Sequence, residues 1–150
     1  MTKPAPIEQS YYYAAPPDKV FAALTEPDGL ASWFLDSAEI ALRKGGTFHF
    51  TWQGGYSMKG KVKKVEEGRL VVYAWVDKLP GGKVVETEAR FDLQKKGKGT
   101  LLSLTHRGFK KGPKWLALYG AIQSGWAHYL TNLRSVLEHG TDLRSPHDVR

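Results

Sequence analysis

Between Pro113 and Gly140 the residues Trp115, Tyr119, Ile122, Trp126, Leu130, Leu133 and Leu137 recur at steps of three and four. That spacing gathers side chains onto one stripe of an α-helix, and Gly140 supplies the stop. A helix of about 25 residues is roughly 37 Å long. A stripe so long and so aromatic must lie against an apolar surface of matching length, which only a sheet built from the preceding residues provides.

The preceding residues do read as strands. Thr47–Trp52 alternates with Phe48, Phe50 and Trp52 on one face. Tyr56–Val65 turns Tyr56, Met58 and Val62 inward and Ser57, Lys59, Lys61 and Lys63 to water. Val85, Thr87, Ala89, Phe91 and Leu93 share a face opposite Glu86, Glu88, Arg90 and Asp92, and Leu102, Leu104 and His106 come together in the last strand. Arg69–Val76 is apolar on both faces, as a central covered strand would be. Gly45-Gly46, Gly54-Gly55 and Gly81-Gly82 mark tight hairpin turns. Upstream, the tyrosine-rich Ile7–Ala14 predicts a first strand stopped by Pro16-Pro17. Pro17 then opens a short helix through Val20, Phe21 and Leu24, and a second brief helical stretch is expected over Leu30–Phe34. The expected class is α+β, with a curved antiparallel sheet wrapped around the long C-terminal helix and two short helices after the first strand. One domain is expected over residues 1–150, ordered from about 7 to 140, with Thr141–Arg150 a flexible tail.

At 150 residues, 41% of them hydrophobic, the chain can bury a core without staples. It has no cysteine, which excludes thiolate catalysis, cysteine-ligated zinc and iron–sulfur chemistry and suits a reducing compartment. Met1–Ser10 lacks the apolar run of a secretory signal, and no segment approaches the roughly 20 apolar residues of a membrane span; the expected location is cytoplasmic. The net charge of +7 is spread along the chain, densest at Lys59, Lys61, Lys63 and Lys64 and near turns at Lys95, Lys96, Lys98, Lys110, Lys111 and Lys114. Single-stranded nucleic acid would need aromatic rings among those lysines. In Tyr56–Val62 the two types alternate onto opposite faces, so the basic face fits an acidic protein partner rather than a specific nucleic acid.

The residues show no catalytic or metal motif. His49, His128, His139 and His147 share no ligand spacing, Ser103, Ser124 and Ser135 have no triad context, and Glu86, Glu88 and Asp92 are expected in water. No glycine pair carries the lysine and helix start of a phosphate loop. No cofactor or metal is expected. What stands out is aromatic content, five Trp, seven Tyr and six Phe, together with Gly120 and Gly125 inside the long helix. Each glycine costs roughly 1 kcal/mol relative to alanine, so either the space they leave is used or a strand approaches closely there. A cavity is expected between Trp115, Tyr119, Ile122 and Trp126 of the helix and Phe50, Trp52, Met58, Trp75, Phe91 and His106 of the sheet. His106 would orient a ligand there or serve as a satisfied structural histidine.

Four segments carry a family resemblance: Pro27-Asp28-Gly29-Leu30-Ala31-Ser32-Trp33-Phe34, Gly45-Gly46-Thr47-Phe48-His49-Phe50, Thr100 through Phe109, and Gly125-Trp126-Ala127-His128-Tyr129-Leu130. Their order and spacing resemble the START-like (SRPBCC) helix-grip superfamily and, within it, the homologues of the activator of heat-shock-protein-90 ATPase, over about Tyr11–Leu137. The resemblance implies a helix-grip fold. It also implies a choice of functions, because relatives with this fold include lipid carriers, hormone receptors, polyketide cyclases and co-chaperone domains. The reading preferred is a non-catalytic module that takes an apolar or aromatic small molecule or lipid. The alternatives are a co-chaperone-like interaction domain acting in the stress response, or a cyclase- or aromatase-like enzyme using His106 and Tyr119.

Overall fold

The structure, a computed structural model, describes residues 2–145. Its elements in chain order are β1 (Ile7–Tyr13), α1 (Pro17–Thr25), α2 (Pro27–Ala31), β2 (Ser37–Ile40), β3 (Thr47–Thr51), β4 (Ser57–Glu66), β5 (Leu70–Lys78), β6 (Val84–Lys96), β7 (Gly99–Arg107) and α3 (Pro113–His139). Seven antiparallel strands form one curved sheet in the order β1-β7-β6-β5-β4-β3-β2, and α3 lies in its concave face. The apolar run of β5 is thus the middle strand. Register aligns the inward residues into rows: Ile7, His106, Ala89, Tyr73 and Val62 are successive partners across β1, β7, β6, β5 and β4, and all are buried.

The second short helix begins earlier than the apolar pattern predicts, at Pro27 rather than Leu30. Proline fits the first helical turn, where its missing N–H costs nothing. Gly29 sets the packing of the helix pair, because a Cβ there would meet the carbonyl oxygen of Ala22 at 2.3 Å. Trp33 and Phe34, which follow the helix pair, are both buried, and the Trp33 indole N–H donates to the carbonyl of Ala23 at 2.7 Å.

Thr141–Ser145, expected as part of a tail, is tied to the domain, while residues 146–150 lie outside the described residues. The Arg144 guanidinium donates to the carbonyls of Leu35 and Ala31 at 2.9 and 2.8 Å and pairs with Asp142 at 2.9 Å. Buried Asn132 completes the latch, donating to the Trp33 carbonyl and to Asp142 and accepting from the Leu143 N–H. The Arg144 hydrogen bonds hold the Asp142 carboxyl at about 2, against an ordinary 3.8. A depressed carboxylate stabilises the fold fully above its unfolded value and loses that contribution as pH falls through the folded one. Arg144→Ala is therefore expected to cost about 1–3 kcal/mol at neutral pH, with a gap from the parent protein that narrows between pH 4 and 2 in urea titrations. A gap independent of pH would mean that the Asp142 pair contributes nothing.

Candidate functional site: a half-open aromatic cleft

The seat of α3 is asymmetric. Along β1 it is tied by Gln9 Nε2 to the Gln123 carbonyl at 3.0 Å, Tyr13 Oη to the Leu130 carbonyl at 2.7 Å, and Arg134 to the Tyr12 carbonyl at 3.0 Å. On its other flank, toward the end of β5, the walls do not meet. A half-open cleft of about 490 Å³ remains there, lined by Phe34, Trp75, Asp77, Ala121, Ile122, Ser124, Gly125, Trp126, His128 and Tyr129.

Each wall has a local cause. Trp75 and Asp77 stand two residues apart on β5 and so share its concave face. Asp77 is only 5% exposed, and the Tyr56 hydroxyl donates to its Oδ1 at 3.1 Å. Phe34 is delivered by the tight α1–α2 packing and by the Asn132 and Arg144 latch on its neighbours. Its ring lies 5.0 Å from Tyr129, 5.3 Å from Trp126 and 6.1 Å from Trp75, while Trp75 and Trp126 are 5.1 Å apart, centroid to centroid. These separations are those of mutually attractive aromatic pairs, which add to the wall's stability beyond the area they bury. On α3 the floor is Gly125. A Cβ there would meet nothing within 4 Å, so its spare room opens into the cleft and close approach by a strand is not its cause. Nothing in the structure explains Gly120, which also has open space around it.

The residues expected to line a cavity divide into three groups. Trp75, Ile122 and Trp126 line the cleft. Phe50, Trp52, Met58, Phe91 and His106 are buried in the core, and Trp115 and Tyr119 are half-buried against it. The deep space between Phe50, Trp75, Phe91 and Trp126 is about 10 Å³, at the lower limit for a single water. The aromatic side chains therefore fill the interior and leave the usable volume at the flank. Sequence reasoning passed over Phe34, Asp77, Ser124, His128 and Tyr129 as a set. The signal for Asp77 was present: extending the alternation of Tyr73 and Trp75 by one step places a carboxylate on the inward face.

His106 is fully buried, with Trp126 Nε1 2.9 Å from its Nδ1 and Thr87 Oγ1 2.7 Å from its Nε2. An indole N–H only donates, so Nδ1 accepts and the proton sits on Nε2, directed at the Thr87 hydroxyl. This fixes the neutral tautomer and pins Trp126, one wall of the cleft, from behind.

On the outer face Lys63 pairs with Glu88 at 2.9 Å and Lys64 with Glu66 at 3.7 Å, so part of the basic stripe is neutralised within the chain. Burial works to raise the Glu88 pKa, but hydrogen bonds from Lys63 and Arg107 outweigh it and hold the carboxyl below its ordinary value. Among the described residues no three His, Asp or Glu gather as a metal site, and no helix is long and apolar enough to cross a membrane.

The model of the family described as activator of Hsp90 ATPase homolog 1-like protein matches residues 14–138. The chain belongs to this family. Within the activator of Hsp90 ATPase homolog 1-like family and its structural neighbours, the Aha1 dimer from Colwellia psychrerythraea is 27% identical, with a TM-score of 0.75 over 92% of this chain and 99% of that one. CalU16 from Micromonospora echinospora is 28% identical, with a TM-score of 0.68 over 89% of this chain and 76% of that one. SSP2350 from Staphylococcus saprophyticus, 18% identical, shares the fold at a TM-score of 0.79 over 94% of this chain and 97% of that one. Comparison with curated protein sequences gives no match.

Proposed function

We propose that this family member is a ligand-binding module that takes an apolar or aromatic small molecule in the cleft beside α3. The observation that carries this is the cleft itself: about 490 Å³, inside the roughly 300–1,000 Å³ range of small-molecule sites. It is walled by four large aromatic rings, with a few polar groups at fixed places and a helix glycine that leaves it open. Packing alone would not need Gly125, whose substitution by alanine meets no obstacle and would gain helix stability. The Colwellia relative and the family's name keep a second reading in view, an interaction domain that meets an acidic protein through Lys59 and Lys61.

The test is thermal shift and tryptophan quenching against a panel of polycyclic aromatics, flavonoids, fatty acids and aromatic amines. A ligand at a hundred times its Kd adds about 2.7 kcal/mol to stability, a rise in Tm of roughly 5–10 °C for a chain of this length. Trp75 and Trp126 in the wall should be quenched by the same compounds. Compounds that move neither signal would leave the interaction-domain reading as the better account.

A further inference from the structure

Positive charge gathers at the end of the molecule where β5 turns into β6 and β7 runs into α3. Lys78 and Lys83 flank the Pro80-Gly81-Gly82 turn, Lys110 and Lys111 precede α3, and Lys114 stands in its first turn. The two loops meet in one tip: a Cβ on Gly81 would lie 3.1 Å from Lys114 Nζ, and one on Gly108 3.5 Å from the Cα of Thr87 in β6. All five lysines are exposed, and none takes part in an ion pair among the described residues. Of the acids on the adjoining strands, Glu88 is held by Lys63 and Arg107 and Asp77 faces the cleft, which leaves exposed Glu86 against five cations. The first turn of α3 has no acidic residue, so the positive end of the helix dipole adds to the same potential. Fold stability does not account for a lysine there, where a carboxylate would be the favourable choice.

Two large aliphatic side chains stand in water beside these lysines. Val84, 59% exposed, is the register partner of Lys78 on the β5–β6 hairpin, and Leu116, 56% exposed, follows Lys114 by two residues. No exposed ring accompanies them, since Phe109 is buried and Trp115 half-buried, so nucleic-acid bases would find nothing to stack upon. The cations are also all lysine. Arginine has the planar fork that matches the carboxylates of an acidic protein, whereas an ammonium is a point charge whose attraction needs no fixed geometry. Diffuse negative charge with an apolar layer just beneath it answers both features, and an anionic bilayer has that structure.

We propose that this tip docks on an anionic lipid surface, with the five lysines among the headgroups and Val84 and Leu116 entering the boundary with the acyl chains. Each lysine near such a surface strengthens binding about fivefold, and salt screens the attraction. Docking goes beyond the ligand-binding reading and does not depend on it, because the tip lies outside the cleft lining. It does bring the cleft to the bilayer: among the lining residues, Asp77 directly precedes Lys78, and Ala121 is five residues past Leu116, about 8 Å along α3.

Co-sedimentation of the full chain with vesicles tests it, using phosphatidylcholine mixed with phosphatidylglycerol and phosphatidylcholine alone. Binding should be confined to the mixed vesicles and fall steeply from low to physiological salt. Lys110→Ala with Lys111→Ala should weaken it at least about tenfold. Lys96→Ala with Lys98→Ala removes the same charge at the far end of the 13-residue β6, roughly 40 Å along the strand, and should change affinity by no more than about twofold. Leu116→Ser should weaken vesicle binding at least about threefold, the scale of one buried methylene, while leaving binding to heparin, a polyanion without an apolar layer, unchanged. All these positions are exposed, so melting temperatures should stay close to the parent's. No sedimentation of the parent with mixed vesicles at low salt would overturn the proposal. Equal losses in the two double variants would replace the tip by the overall charge of the chain, and full vesicle affinity in Leu116→Ser would replace the bilayer by a soluble polyanion such as nucleic acid or an acidic protein; either result overturns it as well. The ligand-binding reading, tested with small molecules in the absence of vesicles, stands or falls separately.

Discussion

Trp126→Ala is expected to destabilise the protein by about 5 kcal/mol, the upper part of the range for a large aromatic removed from a core. Trp126 is 4% exposed and packs against Phe34, Trp75 and Phe91. Its N–H is also the donor that His106 Nδ1 accepts, so the substitution opens a cavity and removes a buried partner at once. Domains hold together by only about 5–15 kcal/mol, so the variant should be largely unfolded in mild urea. Trp126→Phe shifts the balance between the two contributions, because it keeps a six-membered ring in place and loses the hydrogen bond with only part of the ring volume; about 1–3 kcal/mol is expected. Far-UV circular dichroism through a urea titration reads both. A midpoint unmoved in Trp126→Phe would show that neither the hydrogen bond nor the outer part of the indole contributes, and one unmoved in Trp126→Ala would show that Trp126 is not part of the core.

The fold was legible because its determinants are periodic. The stripe from Trp115 to Leu137 demands a sheet, and the alternation in Thr47–Trp52, Val85–Leu93 and Leu102–His106 supplies its inward face. Glycine pairs at the turns mark where the strands end. The cleft was only half legible, since periodicity tells which residues face inward and not whether they meet. Phe50, Phe91 and His106 face inward and are packed to contact, whereas Trp75, Ile122 and Trp126, on the same faces, border open space. The difference arises from the seat of α3, set by hydrogen bonds of Gln9, Tyr13 and Arg134 more than 110 residues apart in sequence. No local pattern encodes such ties. Phe34 and the Arg144 latch belong with them: a short loop and a polar tail segment become walls and braces only once the helix pair and α3 are in place.

Gly125→Leu is expected to abolish ligand binding while leaving the protein as stable as before or more so. The glycine is helical, with open space where a Cβ would stand, so leucine gains up to about 1 kcal/mol of helix propensity. Its branched end would occupy the volume between Trp75, Trp126 and Tyr129 that a ligand needs. The control is Gly120→Leu in the same helix. Gly120 also has nothing within 4 Å of a Cβ but lines no part of the cleft, so it should gain the same helix stability and keep full affinity. Melting temperature and energy transfer from tryptophan to pyrenylmethanol, measured on both variants, give two independent axes. A stable Gly125→Leu protein that binds as the parent does would move the ligand site out of this cleft. Loss of binding in both variants would point instead to a ligand surface along the exposed side of α3, where Gly120 lies.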